Sequence, residues 1–120
     1  MSPEHSKFEA VSEALDTLDR GVEPDRAVLR DAVRALLTEL SRRTPGRSVE
    51  VRIPPFGAIQ CVPGPRHTRG TPPNVVETDP MTWLLVATGR LEWDEAVRDG
   101  RLRASGIRTD LSDYLPLTPE

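Results

Sequence analysis

Val75-Val76-Glu77-Thr78-Asp79-Pro80-Met81-Thr82-Trp83-Leu84-Leu85-Val86-Ala87-Thr88-Gly89-Arg90-Leu91 is the stretch that decides the fold. Asn74 to Glu77 is short and carries the β-branched pair Val75-Val76, which predicts a strand running straight into a helix start. Thr78 or Asp79 offers an oxygen to the first free amides of that helix. Pro80 at its first position gives up an amide that would have no partner anyway. The helix is expected to run to about Thr88, where Gly89 takes the left-handed conformation that ends it. Leu91 to Val97 predicts a second short helix stopped by Asp99-Gly100. Leu102 and Ala104 then alternate with Arg101, Arg103 and Ser105 in a last strand that Gly106 closes.

Outward toward the N-terminus, Val49, Val51 and Ile53 alternate with Glu50 and Arg52, the pattern of a strand with one wet face. Pro54, Pro55 and Gly57 interrupt it, and Ala58 to Val62 reads as a second strand that pairs with the first as a hairpin. Pro63 to Pro73 holds four prolines and two glycines and reads as a long exposed loop. Further out, Phe8, Val11, Leu15 and Leu18 share one helical face, and Gly21 closes that helix. Pro24 suits a first helical turn, and Asp25 suits the positive end of the dipole of a helix running to about Arg43. Leu29, Ala32, Val33, Leu36, Leu37 and Leu40 form its apolar stripe, and Thr44, Pro45 and Gly46 end it. On the other side, Thr109 or Asp110 caps a final turn through Tyr114. Two helices, three strands, two short helices and a returning strand make an α+β chain. We expect one domain over residues 1–120, with the N-terminal helices in 1–46 and the sheet and short helices in 47–120.

Composition narrows the function classes. The chain has 120 residues, 29% charged and 37% hydrophobic, with 12 prolines and 8 glycines, which excludes collagen, a coiled-coil rod and a membrane span. Against 19 acidic side chains stand 16 basic ones, a net charge of −3, so no global field draws the protein to nucleic acid or anionic lipid. No nucleic-acid partner and no integral membrane segment are expected. Glu4, Lys7, Glu9, Glu13, Asp16, Asp19 and Arg20 interrupt the first twenty residues, the wrong pattern for a signal peptide, so the expected location is the cytoplasm. The lone Cys61 allows neither an internal disulfide nor a zinc cluster and fits a reducing compartment.

The search for reactive chemistry yields little. His5 and His67 are the only histidines, so a metal site built on several of them is excluded. Cys61 with His67 is the one conceivable nucleophile and base, but their spacing carries no motif, and a lone strand cysteine is commonly a small buried hydrophobe. The expectation is no catalytic residue, no metal, no cofactor and no enzyme. Arg66, His67 and Arg69, with Gly64 and Gly70, form the sharpest local feature. Glycine-freed amides beside two guanidinium groups can hold a phosphate or carboxylate. The plainer reading is a solvated loop whose arginines pair with Glu77, Asp79 or Glu92. Trp83 and Trp93 sit where helical residues can line an apolar groove, or equally where they fill the core.

The block Val75 to Leu91, followed by Trp93-Asp94-Glu95-Ala96-Val97 and Gly100-Arg101-Leu102-Arg103-Ala104-Ser105-Gly106, resembles the sterol carrier protein family. Members run in this order: a strand, a capped helix ending in Gly-Lys/Arg-Leu, a second helix and a Gly-Lys/Arg-Leu strand. Val51 to Cys61 with Pro65 to Asn74 looks like a short actinobacterial branch of it. The resemblance covers roughly residues 48–115. It implies a mixed or antiparallel sheet of about four to five strands with helices on one face, and an apolar cavity between the two layers. In that picture Trp83, Leu84, Ala87, Trp93 and Val97 supply the apolar wall, while Arg66, His67 and Arg69 meet the polar end of an apolar or amphipathic small molecule. Lipid-carrying members continue past the last strand with a helical segment that closes the cavity. Fourteen residues follow Gly106 here, so a sealed tunnel is not expected. An empty cavity of roughly 300 Å³ would cost about 7 kcal/mol, against a domain stability of about 5–15 kcal/mol. That favours a shallow groove or one filled by a ligand or a second subunit. The expected function is non-enzymatic binding of a lipid or other apolar small molecule in a groove between the sheet and the helices. The alternative is a protein–protein interaction module that has lost the closed lipid cavity, and a homodimer stays open.

Overall fold

The computed structural model describes residues 3–64, 74–107 and 109–117, with side chains from Phe8 onward. Helices α1 (Pro3–Asp19) and α2 (Arg26–Arg43) come first. Strands β1 (Val49–Ile53), β2 (Gly57–Cys61) and β3 (Asn74–Thr78) follow, then α3 (Pro80–Ala87), α4 (Trp93–Arg98), β4 (Leu102–Ser105) and a single 3-10 turn, Ser112–Tyr114. The α+β class expected from the sequence is the one observed.

The sheet runs β2-β1-β3-β4. β1 and β2 form the expected antiparallel hairpin, with Val49 opposite Cys61 and Ile53 opposite Gly57. β3 lies parallel to β1, with Val51 opposite Val76, and β4 returns antiparallel to β3, with Thr78 opposite Leu102. Because side chains alternate across a strand, this register sorts them by face. Val49, Val51, Ile53 and Val76 are buried on the helix side. The other face carries an ion pair between Arg52 and Glu50 at 2.6 Å and another between Arg103 and Glu77 at 3.3 Å.

α2 is the hub of the helical layer. It packs against α1, α3 and β2, and Ala32, Val33, Leu36 and Leu40 are fully buried. α1 lies on it through Val11 and Ala14, with Leu15 and Leu18 partly buried beside them. The C-terminal segment folds back over the same layer. The Leu117 amide donates to the Ala87 carbonyl at 2.7 Å, Arg43 donates Nη2 to the Leu117 carbonyl at 3.4 Å, and Leu111 and Leu117 are wholly buried.

Three local expectations shift. Asp25 is the residue capping α2 and its side chain makes no capping bond, so Pro24 precedes the helix instead of opening it. Thr78 belongs to β3 because it pairs with Leu102. Asp110 serves the final turn by accepting from the Ser112 amide at 2.9 Å. Between α2 and β1, Gly46 has φ +154°, and a Cβ there would land on the Val62 carbonyl. That carbonyl accepts from both Oγ and the amide of Ser48, at 2.7 and 3.2 Å.

Candidate binding site

The predicted apolar wall is split by depth. Trp83, Leu84 and Ala87 have no exposed surface, and Trp93 retains 7%. The Trp83 indole N–H donates to the Val33 carbonyl at 3.3 Å, so its polar edge is satisfied against α2. Val97 faces outward and is 40% exposed. The structure therefore brings Trp83, Leu84, Ala87 and Trp93 into one buried cluster and leaves Val97 outside it. Arg66, His67 and Arg69 lie outside the described residues. Of the carboxylates offered as their partners, Glu77 pairs with Arg103 and Asp79 is engaged by Thr82.

Zero exposure carries a physical meaning. A void wide enough for a water-sized guest gives accessible surface to the side chains around it. Trp83, Leu84, Ala87, Leu36, Leu40, Val51 and Val76 have none, so around these positions, among the described residues, the layer between the sheet and α2–α3 is filled by the chain's own side chains. Leu111 and Leu117, from the segment after β4, add to this filling.

A concave feature does exist, at the other end of the logic of the sheet. β1 and β3 are parallel neighbours, yet Pro54 turns the chain back into β2 while Asp79 leads it into α3. Where parallel strands end and their continuations part, a crevice opens. Here it is a cleft of about 420 Å³, lined by Pro54, by Glu77, Thr78 and Asp79, by Gly100 and Arg101 from the approach to β4, and by Arg103 within it. Gly64 and Asn74, which bracket the basic loop in sequence, lie toward the opposite end of the strands, since Asn74 pairs with Val49.

The cleft is wired from its floor. Asp79 caps α3 by accepting from the Thr82 amide at 3.0 Å, and the Thr82 hydroxyl donates to its other oxygen at 2.6 Å. That hydroxyl accepts in turn from Arg101 Nε at 3.2 Å, and Thr78 Oγ1 donates to the Arg101 carbonyl at 2.6 Å. Burial works to raise the Asp79 carboxyl, but the Thr82 bonds, with Arg101 nearby, outweigh it and hold Asp79 below the usual aspartate value. Thr82 is fully buried, so this chain of bonds fixes an exposed arginine from inside the protein. Sequence reasoning recognised Asp79 as a cap and treated Arg101 and Arg103 as the wet side of a strand. Their convergence depends on strand order, which no local pattern encodes.

Cys61 is sealed on the helix side of β2, and burial pushes its thiol up to about 11, so little thiolate is present near neutrality. Among the described residues no group of three or more His, Cys, Asp and Glu side chains is placed to hold a metal ion. Among them, too, no helix is long and apolar enough to cross a membrane.

Helices on one face of an open mixed sheet, with a strand, a capped helix, a second helix and a returning strand in sequence from Asn74 to Ser105, define the sterol-carrier-like class. Residues 25–117 match the model of a family described as bacterial SCP ortholog, and the chain belongs to that family. α1 precedes the matched residues. Among curated proteins no match to the chain was found.

Proposed function

We propose that the chain is a non-enzymatic binding module that keeps the sterol-carrier-like fold with its interior closed, and that it recognises a protein partner through its outer surface. The observation that supports the closed interior, and so turns recognition to the outer surface, is the zero exposure of Trp83, Leu84 and Ala87 against α2. Reopening roughly 300 Å³ beneath them would cost about 7 kcal/mol at about 24 cal/mol per Å³. A guest that must first populate so rare a state loses affinity in proportion to its rarity. The absence of catalysis is part of the proposal, and the sealed, weakly acidic Cys61 thiol supports it.

Family membership over residues 25–117 favours a second reading. In it, an apolar or amphipathic small molecule parts α3 and α4 from the sheet and lies against Trp83, Leu84, Ala87 and Trp93. Native mass spectrometry of freshly purified protein separates the two readings, with titration of a fatty acyl probe followed by tryptophan emission. We expect a ligand-free mass and no saturable change at micromolar probe. A retained lipid mass, or saturable quenching that Trp83→Phe abolishes, would overturn the closed-interior reading in favour of the second.

A further inference from the structure

We infer that the cleft at the ends of β1 and β3 is a binding site for the carboxylate or phosphate group of a small molecule, with the Arg101 guanidinium as its principal donor. This inference concerns the outer surface and stands apart from whether the interior opens. The cleft contains two arginines and two carboxylates, so its formal charges cancel; what decides its chemistry is which atoms are already engaged. Each oxygen of Asp79 accepts one bond from Thr82, through its amide and its hydroxyl. One oxygen of Glu77 is occupied by Arg103 Nη2. Arg101 engages only Nε, on Thr82 Oγ1. Among the described residues its two terminal nitrogens, Nη1 and Nη2, make no hydrogen bond, and Arg101 lines a cleft of about 420 Å³. Arg103 uses one terminal nitrogen on Glu77 and keeps the rest of its fork. Counted by sites, the two arginines keep about eight N–H donors against about five lone pairs left on the two carboxylates, so the unspent capacity leans toward donors.

A planar fork with its terminal edge available matches the two oxygens of a carboxylate or phosphate. The cost of binding through a long side chain is the freezing of its rotamers, about 0.5–1.5 kcal/mol for each. For Arg101 that cost falls largely within folding, because buried Thr82 holds Nε in place. A merely structural cap needs only Asp79 and the Thr82 amide and leaves the arginine fork without a task. The volume lies within the roughly 300–1,000 Å³ typical of small-ligand sites, and Pro54 supplies an apolar wall for the body of such a molecule.

The test is nuclear magnetic resonance titration of the ¹⁵N-labelled full chain, following the Nε–H signals of Arg101 and Arg103 and the Thr82 amide. Inorganic phosphate and acetate are added in separate arms at constant ionic strength, with sodium chloride as the control. We expect saturable shifts of Arg101 Nε and the Thr82 amide with at least one anion, and the arm that saturates first identifies the oxyanion class. Arg101→Gln, an exposed position, should weaken the response at least about tenfold. Thr82→Val should weaken it while leaving Arg103 shifts measurable, which marks Thr82 as a positioning residue. Shifts that stay linear in both arms and match chloride would overturn the site, as would saturation that survives Arg101→Gln unchanged.

Discussion

Asp79 shows how a single residue is legible in part. Its place before Pro80 announced a cap, and the cap is there, on the Thr82 amide. The second bond, from the Thr82 hydroxyl three residues on, is local and went unread, whereas the arginine behind it was illegible because Arg101 lies nineteen residues beyond Thr82. Replacing Asp79 with Ala removes both bonds and should cost about 1–2 kcal/mol by urea denaturation at pH 7. The pH dependence has a fixed sign. The folded carboxyl lies below its ordinary value of 3.8, so its contribution is present above that value and is lost as pH falls through the folded one. The gap between the wild type and Asp79→Ala should therefore narrow in acid; a gap that widened would show that the carboxylate is not what the cap uses. Gly46 was read simply as a helix terminator. The structure makes it a close-approach residue: a Cβ would strike the Val62 carbonyl, which is backbone and already held by Ser48. Gly46→Ala should lower stability by about 1–3 kcal/mol, seen as a lower midpoint with an unchanged slope.

At the level of elements, periodicity revealed the pieces and withheld their arrangement. The period-two alternation of Val49, Val51 and Ile53 named a strand with one wet face, and the register confirms which face that is. Nothing local told that β1 would separate β2 from β3, because that order rests on the long-range parallel pairing of β1 with β3, which no window of sequence contains. The segment after β4 was legible only as a capped turn. Leu111 and Leu117 carry no periodic signature, yet both are wholly buried, and the Leu117 backbone is tied to Ala87 and Arg43. This short segment thus acts as a plug of the helical layer. Leu117→Ala should cost about 2–5 kcal/mol, the range for a buried leucine whose surroundings relax only partly. Thermal or urea unfolding measures it, and a loss below about 1 kcal/mol would mean that the segment lies on the layer without filling it.

For the whole molecule, the filled interior has a chemical reporter in Cys61, buried on the face of β2 that meets the helices. Its thiol titrates at about 11 in the folded chain against an ordinary 9.0. Between those two values the unfolded chain releases a proton that the folded chain retains, so rising pH favours unfolding; above the folded value the slope vanishes. Comparing the wild type with Cys61→Ala isolates this contribution from other alkaline titrations, and the slope of stability between pH 9 and 11 should flatten in the variant. Reaction of the thiol with a disulfide reagent at pH 8 reads the same seal kinetically, because a sealed sulfur reacts only when the layers part. We expect labelling slower than that of the urea-unfolded chain by at least about a hundredfold. Micromolar fatty acid should leave that rate unchanged if the interior stays closed. An acceleration would mean that an apolar guest wedges the helices from the sheet, and a slowing would mean that it occupies the space around the sulfur. Either change would move the working surface of this protein from its outside to its core.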